Sequence, residues 1–164
     1  MTIFIKNKHS LQVDEFKFKC CIGKNGSTRH KKEGDKKTPK GSYKIENLYY
    51  RKDRKEKPLT SLKCIEIKKN MGWCNDVRFP KNYNKLFRIE ESVRHEKLKR
   101  EDHKYDFIIP IKYNFKKPIT GRGSCIFIHL TKDYKPTAGC IALKEKDFLI
   151  MLKLIKKNSI IKIY

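Results

Sequence analysis

Apolar and polar residues alternate over short runs along most of the chain, and residues that favour turns separate these runs. A period of two is typical of strands that bury one face. Pro110 lies inside one run, which indicates an edge strand or a bulge there. The pattern therefore predicts a mainly β fold with strands at 2–5, 16–22, 42–50, 61–68, 107–113, 125–130 and 159–164.

Helical periodicity is confined to two segments. In residues 144–157 Phe148, Leu149, Leu152 and Ile155 share one helical face, with acidic residues in the first turn and lysines in the last. Residues 91–102 form a weaker candidate. We expect one or two short helices beside the strands.

The length and charge of the chain limit its class. A chain of 164 residues is sufficient for one well-cored domain, so we expect a single domain over 1–164. Its net charge of +23 comes mostly from lysines spread from Lys6 to Lys162. Specific base recognition relies on arginine, so we expect no specific nucleic-acid partner. Solvated surface charge and attraction to an acidic polymer or substrate both remain open.

The six cysteines show no C-x-x-C spacing, so we expect no metal site. Cys20 and Cys125 lie in apolar alternations and are interpreted as small core residues, while the pattern leaves a disulfide open. The N-terminal apolar run is too short for a signal peptide, and we expect no membrane span.

Two regions are not explained by secondary structure alone. Residues 23–43 contain four glycines and end in Thr38-Pro39-Lys40-Gly41, and long ordered loops are often functional. The phosphate-binding G-x-x-x-x-G-K-[ST] pattern is missing from them. Residues 71–86 carry the only tryptophan, Trp73, which we interpret as a core residue with a ligand-binding role as the alternative.

His129 and Cys140 lie eleven positions apart, at the end of a strand and in the turn Ala138-Gly139-Cys140. A thiol is nucleophilic as thiolate, which requires a base or a positive potential nearby. Histidine suits proton transfer near neutral pH. Small neighbours admit a substrate carbonyl, and successive N–H groups of a turn can stabilise an oxyanion. Chemistry alone allows a catalytic pair or two unrelated residues.

The same segment resembles the signature of the YkuD-type L,D-transpeptidase catalytic domain, a histidine followed after a variable loop by [ST]-x-G-C and an aliphatic residue. Here these are His129 and the run from Thr137 to Ile141. The resemblance covers about 18–164, since further segments are similar to one compact bacterial branch. Many members carry Arg two positions after the cysteine, where this chain has Ala142, as the compact branch often has. The similar segments are 31–45, 71–86, 100–114 and 121–129.

The resemblance implies a β-sandwich or barrel-like catalytic fold and acyl transfer on peptidoglycan stem peptides or muropeptides, without a cofactor. Cys140 attacks the carbonyl before a terminal D-alanine, and His129 accepts the thiol proton. A side-chain amine of diaminopimelate or water then receives the acyl group, and carbapenems are expected inhibitors. The implied site consists of Cys140 and His129, the oxyanion-hole N–H groups of Gly139 and Cys140, and the substrate-binding candidates Arg122, Thr137 and Lys135.

Several interpretations of these residues remain open. The same Cys-His site fits an L,D-carboxypeptidase or another peptidoglycan amide hydrolase, and the basic charge alone fits a non-catalytic polyanion-binding protein. Arg122 is equally well interpreted as a solvated loop charge. His103 is a poorer candidate for the base than His129 and is interpreted as a residue that caps or packs at a helix end. A backbone carbonyl is expected to orient His129, because no acidic residue is evident for this role. The resemblance implies the cell envelope or periplasm, whereas the sequence shows no signal for export.

Overall fold

The computed structural model describes residues 1–164 and consists mainly of β-strands. In chain order its elements are β1 (Thr2–Asn7), β2 (Ser10–Val13), β3 (Phe16–Lys19), β4 (Ser27–Thr28), β5 (Thr38–Pro39), β6 (Gly41–Lys44), β7 (Leu48–Tyr50), β8 (Cys64–Glu66), β9 (Met71–Cys74), β10 (Leu86–Arg88), β11 (His95–Lys97), β12 (Phe107–Pro110), β13 (Phe127–Leu130), β14 (Ile141–Leu143), α1 (Glu145–Leu154) and β15 (Ile160–Ile163).

Two five-stranded sheets form the body of the fold. The first has the order β3-β2-β1-β15-β6, and its neighbours β1 and β15 run parallel, with Ile3 opposite Ile161. The second has the order β14-β13-β12-β7-β8. The largest apolar cluster takes residues from both sheets, such as Ile3, Leu11, Ile109 and Ile128. The main core therefore lies between the sheets, as in a β-sandwich.

The second sheet is buried on its other face as well. Tyr49, Ile108 and Phe127 project away from the main core and form a smaller cluster with Trp73 and Leu98. Trp73 belongs to a three-stranded sheet of order β10-β9-β11. Its ring meets that of Phe127 edge to face at 5.3 Å, a favourable aromatic geometry. The tryptophan is thus a core residue that joins the small sheet to the large one.

The single helix packs its apolar face into the main core. Phe148 and Leu152 are fully buried in the main core, and each such side chain contributes about 2 kcal/mol of transfer free energy. Glu145 and Asp147 lie in the first turn, where the helix dipole favours negative charge. Ten residues are too few to cross a membrane, and no helix of the protein meets the length and apolarity needed for that.

Three expectations about individual elements are wrong. Residues 91–102 form no helix but contain β11, which pairs with β9. Pro110 ends a central strand, β12, and not an edge strand. The Pro110 carbonyl accepts a hydrogen bond from Glu46 N–H, in the connection between β6 and β7. On this side of β12 there is no regular ladder at Pro110, so the sheet loses no ladder hydrogen bond because proline has no N–H. The predicted strand 42–50 is divided into β6 and β7, which belong to different sheets.

Candidate active site

Adjacent parallel strands place Cys140 and His129 on one face of the second sheet. In the β13–β14 pair His129 lies opposite Ala142 and Ile128 opposite Ile141. Because strand side chains alternate, His129 and Ala142 share the face that points away from the main core. Cys140, two positions before Ala142, continues this face, and its Sγ accepts a hydrogen bond from Phe127 N–H at 3.4 Å. The two residues are therefore diagonal neighbours on adjacent strands.

The thiol of Cys140 is held by backbone groups. Besides accepting from Phe127, Sγ donates to the Cys125 carbonyl at 3.2 Å. Cys140 is 8% exposed, and all six cysteines of the chain are free thiols. Cys125 is only partly buried and takes part in the wall of the site, so its interpretation as a core residue is incomplete.

The imidazole of His129 has a defined tautomer. Its Nδ1 lies 2.8 Å from the Leu130 carbonyl, which can only accept, so Nδ1 carries the proton. Nε2 is then the basic nitrogen, and it makes no hydrogen bond to the protein. The ring of Tyr105 meets the imidazole edge to face at 5.5 Å and limits its rotation. The carbonyl orients the histidine as an acidic residue does in other Cys-His sites.

Two threonine hydroxyls fix the turn before Cys140. Thr137 Oγ1 donates to the Cys140 carbonyl at 2.6 Å and accepts from Gly139 N–H at 3.1 Å. Thr38 Oγ1 donates to the Gly139 carbonyl at 2.8 Å and accepts from Gly23 N–H at 2.9 Å. Thr38 is fully buried. The loop 23–43 thus reaches the turn before Cys140 through one hydroxyl.

Anchoring the Gly139 carbonyl also orients the next N–H. The carbonyl of Gly139 and the N–H of Cys140 belong to one trans peptide, in which they point in opposite directions. Thr38 holds the carbonyl on one side, and the Cys140 N–H makes no hydrogen bond within the protein. Gly139 has φ +141°, and a Cβ there would lie 2.9 Å from the Lys37 carbonyl oxygen, so glycine is required at this position. Of the two predicted oxyanion donors, Cys140 N–H is available and Gly139 N–H is bound to Thr137.

A cavity of about 600 Å³ opens beside the pair, and Cys140, His129 and Ala142 all line it. Thr137 and Lys135 line it as well, although the Lys135 side chain is largely exposed and pairs with Asp133 at 3.2 Å. Arg122 is exposed and does not line the cavity, and its carbonyl accepts from Tyr113 Oη at 2.6 Å. The cavity contains further cations in its wall, namely Lys31, Lys36, Arg100, Lys104 and Lys132.

Burial makes both members of the pair neutral near pH 7. It raises the pKa of the Cys140 thiol to about 12, against the lowering effect of the Phe127 N–H. It lowers the pKa of His129 to about 4, against the hydrogen bond to the Leu130 carbonyl. The free protein therefore holds a thiol beside a neutral imidazole, and not a thiolate-imidazolium ion pair.

Several residues of the site escaped the sequence analysis. Thr38 was part of an unexplained loop, and the T-P-x-G pattern was the only signal for it. Glu96 and Asn75, which line the cavity, follow from the pairing of β9 with β11, and no short-range pattern indicates that pairing. His103 lines the cavity too, and the predicted helix end on which it was expected to pack does not exist, because residues 91–102 are not helical.

Comparison with known proteins identifies the family but no individual relative. The family model of the YkuD L,D-transpeptidase catalytic domain matches residues 1–163. The match includes β1 and β2, which the resemblance of about 18–164 left out. No curated protein and no solved structure gave a match.

Proposed function

The chain belongs to the YkuD family of L,D-transpeptidase catalytic domains, whose members act on peptidoglycan, and on this premise we propose that it is itself an L,D-transpeptidase that uses Cys140 and His129. We further propose that residues 1–164 act as one catalytic domain at the cell envelope. The observation that carries the proposal is the placement of Cys140 Sγ and the unprotonated Nε2 of His129 on one face, in one cavity.

In the proposed first step, Cys140 attacks the carbonyl that precedes the terminal D-alanine of a stem tetrapeptide. The S–H proton leaves the Cys125 carbonyl and passes to His129 Nε2 as the C–S bond forms. A neutral pair suits this concerted transfer, because neither group has to be charged before the substrate arrives. Cys140 N–H, aimed by the Thr38 anchor, donates to the developing oxyanion. His129 then gives the proton to the departing D-alanine nitrogen.

In the second step a diaminopimelate side-chain amine attacks the thioester and releases Cys140. Carboxylates of the donor stem face the exposed lysines of the cavity wall, Lys36, Lys132 and Lys135. Arg122, which lies outside the lining residues, is proposed to have at most a peripheral role in binding the donor. No group of three or more His, Cys, Asp or Glu side chains is placed to hold a metal ion.

The decisive experiment compares Cys140→Ala with Cys64→Ala. The protein is incubated with a stem tetrapeptide, and the covalent acyl adduct is measured by intact mass. We expect the adduct in the wild type and in Cys64→Ala, whose thiol does not line the cavity, and none in Cys140→Ala. An adduct that persists in Cys140→Ala contradicts the assignment of the nucleophile.

Product analysis with and without an acceptor amine separates transfer from hydrolysis. A transpeptidase forms an amide with the added amine, whereas an L,D-carboxypeptidase or amide hydrolase releases the free acid at the same rate in both reactions. A carbapenem provides a second covalent probe for the same thiol.

A further inference from the structure

Strands β9 and β11 contribute polar side chains to the cavity. Glu96 lies opposite Trp73 in the antiparallel ladder, and Asn75 follows Trp73 by two positions. Asn75, Trp73 and Glu96 therefore share the face of the small sheet that meets the second sheet. Both Asn75 and Glu96 line the cavity that holds Cys140 and His129.

Glu96 presents one free carboxylate oxygen. Its Oε1 accepts from Arg100 Nη1 at 2.9 Å and from Tyr105 Oη at 3.0 Å, whereas Oε2 has no partner in the protein. Arg100 is also bound by Asp102 through two hydrogen bonds, of 3.0 and 2.6 Å. Glu96 and Asp102 each carry a negative charge, and Arg100 carries one positive charge. These three side chains therefore have a formal charge of −1.

Asn75 adds a second unused acceptor. Its Oδ1 is buried and has no hydrogen-bond partner. Buried polar atoms without a partner are rare in folded proteins, and each one requires an explanation. Asn75 Oδ1 and Glu96 Oε2 are both unused acceptors on residues of one cavity wall, so a ligand that binds them must donate hydrogen bonds. A cation with several N–H donors has the matching chemistry.

One residue, Tyr105, connects the Glu96 carboxylate with the reacting groups. The hydroxyl of Tyr105 donates a hydrogen bond to Glu96. The Tyr105 ring packs edge to face on the His129 ring, with 5.5 Å between the ring centroids. The charge of Glu96 also opposes ionisation of the Cys140 thiol. Lys31 and Arg100 act on the thiol in the opposite direction. The free Glu96 oxygen is therefore an acceptor at the site whose charge suits an incoming cation.

We infer that Glu96 and Asn75 form the binding site for the acceptor amine, which enters the cavity as an ammonium ion. The inference rests on the proposed transpeptidase function, because it assigns the second substrate of that reaction. Glu96 Oε2 and Asn75 Oδ1 accept hydrogen bonds from the ammonium group, while Arg100 and Tyr105 position the Glu96 carboxylate.

The transfer step balances with the groups at hand. The bound ammonium releases one proton to water, and the resulting amine attacks the thioester carbonyl. A second N–H proton passes to His129 Nε2 as the C–N bond forms. His129 then protonates Cys140 Sγ as the C–S bond breaks, which regenerates the thiol and the neutral imidazole.

Glu96→Gln tests the site with little structural change. The amide keeps an oxygen for Arg100 and Tyr105 and replaces the free acceptor Oε2 by an N–H donor. The acyl-enzyme is formed with a stem tetrapeptide and then treated with one of two acceptors in separate reactions. The first is Nα-acetyl-lysinamide, whose side chain is an ammonium ion. The second is hydroxylamine, a nucleophile that is largely neutral at pH 7.5. We expect Glu96→Gln to raise the KM for Nα-acetyl-lysinamide about 10-fold or more, as loss of a charge-assisted hydrogen bond predicts, with no change for hydroxylamine.

Glu33→Gln is the matched control. Glu33 lines the same cavity and also keeps one free oxygen, because Tyr83 and Ser124 both donate to its Oε2. It makes no hydrogen bond to Tyr105, the residue that joins Glu96 to His129. We expect it to leave the discrimination between the two acceptors unchanged. Equal losses for both acceptors in Glu96→Gln, or the same loss in Glu33→Gln, overturn the assignment.

A binding measurement makes the inference independent of turnover. The wild type is titrated with Nα-acetyl-lysinamide and with the uncharged Nα-acetyl-norleucinamide, and binding is followed by NMR chemical shifts. A preference for the lysine compound that Glu96→Gln removes supports the site, and no preference in the wild type overturns it. Failure to form any acyl-enzyme contradicts the proposed function and leaves this binding result to decide the acceptor site.

Discussion

At the scale of single residues, the proposed chemistry depends on which nitrogen of His129 carries the proton. The Leu130 carbonyl fixes this proton on Nδ1, so Nε2 is basic as soon as the chain folds. Burial keeps the imidazole neutral well below its ordinary titration range. The proposed reaction therefore depends on a desolvated histidine whose pKa is lower than that of a surface histidine.

The pH dependence of acylation follows from this burial. We expect the rate constant for Cys140 acylation to stay level from neutral pH down to about pH 5, and to fall as His129 is protonated near pH 4. Stopped-flow acylation by a carbapenem measures the profile. An acidic limb centred near 6.5, the ordinary value, would show that His129 is exposed to solvent in the reacting state.

Linkage predicts a parallel effect on stability. Because the pKa of His129 is lower in the folded state, the unfolded chain binds more protons between about pH 6.5 and 4. The free energy of unfolding should therefore decrease as the pH falls through this window. The decrease should be smaller in His129→Gln than in the wild type, which urea titrations at several pH values measure.

At the scale of elements, the loop 23–43 supports the turn before Cys140 through the hydrogen bond from Thr38 to the Gly139 carbonyl, which joins residues 101 positions apart. The T-P-x-G pattern marked this loop, but a side chain that reaches so far cannot be assigned from local sequence. The strands with clear alternation were predictable, because alternation of apolar and polar residues is visible in the local sequence. The helix proposed at 91–102 was wrong because its buried residues Val93 and Leu98 are five positions apart, which is not a helical spacing.

Thr38 is expected to act as a positioning residue. Thr38→Val removes the hydroxyl, so the Gly139–Cys140 peptide loses its anchor and acylation should slow about 10-fold or more. Thr38→Ser keeps the hydroxyl and should restore most of the rate. Alkylation of Cys140 by iodoacetamide forms no oxyanion, and we expect Thr38→Val to leave it unchanged. Equal losses in both reactions would indicate general damage to the fold.

At the scale of the whole molecule, the net charge of +23 acts as a field around the cavity. The sequence could not show which of the 41 basic residues matter, and the fold brings several lysines to the wall of one cavity. The helix and the mainly β class were predictable from periodicity, whereas the family, and through it the sandwich, was predictable from a motif. The small sheet was not, because its strands have only four, three and three residues, which is too short for a clear alternation.

Salt should weaken the use of anionic donors. Raising the ionic strength shortens the Debye length from about 10 Å at 0.1 M to about 3 Å at 1 M, which screens the lysines from stem carboxylates. We expect the second-order rate constant for acylation by a stem tetrapeptide to fall over this range. The same donor with its carboxylates amidated should show little change, and equal salt effects on both donors would contradict electrostatic attraction.

The three-stranded sheet enters the chain as one continuous insertion, between β8 and β12 of the second sheet. It contributes Asn75 and Glu96 but neither Cys140 nor His129, which the sandwich supplies. In the proposed reaction, the residues that break the donor bond and those that bind the incoming amine therefore come from different parts of the fold. Exchanging residues 67–105 for a segment of different charge, with Trp73 kept as the joint, is a route to enzymes that join the same acyl group to other nucleophiles.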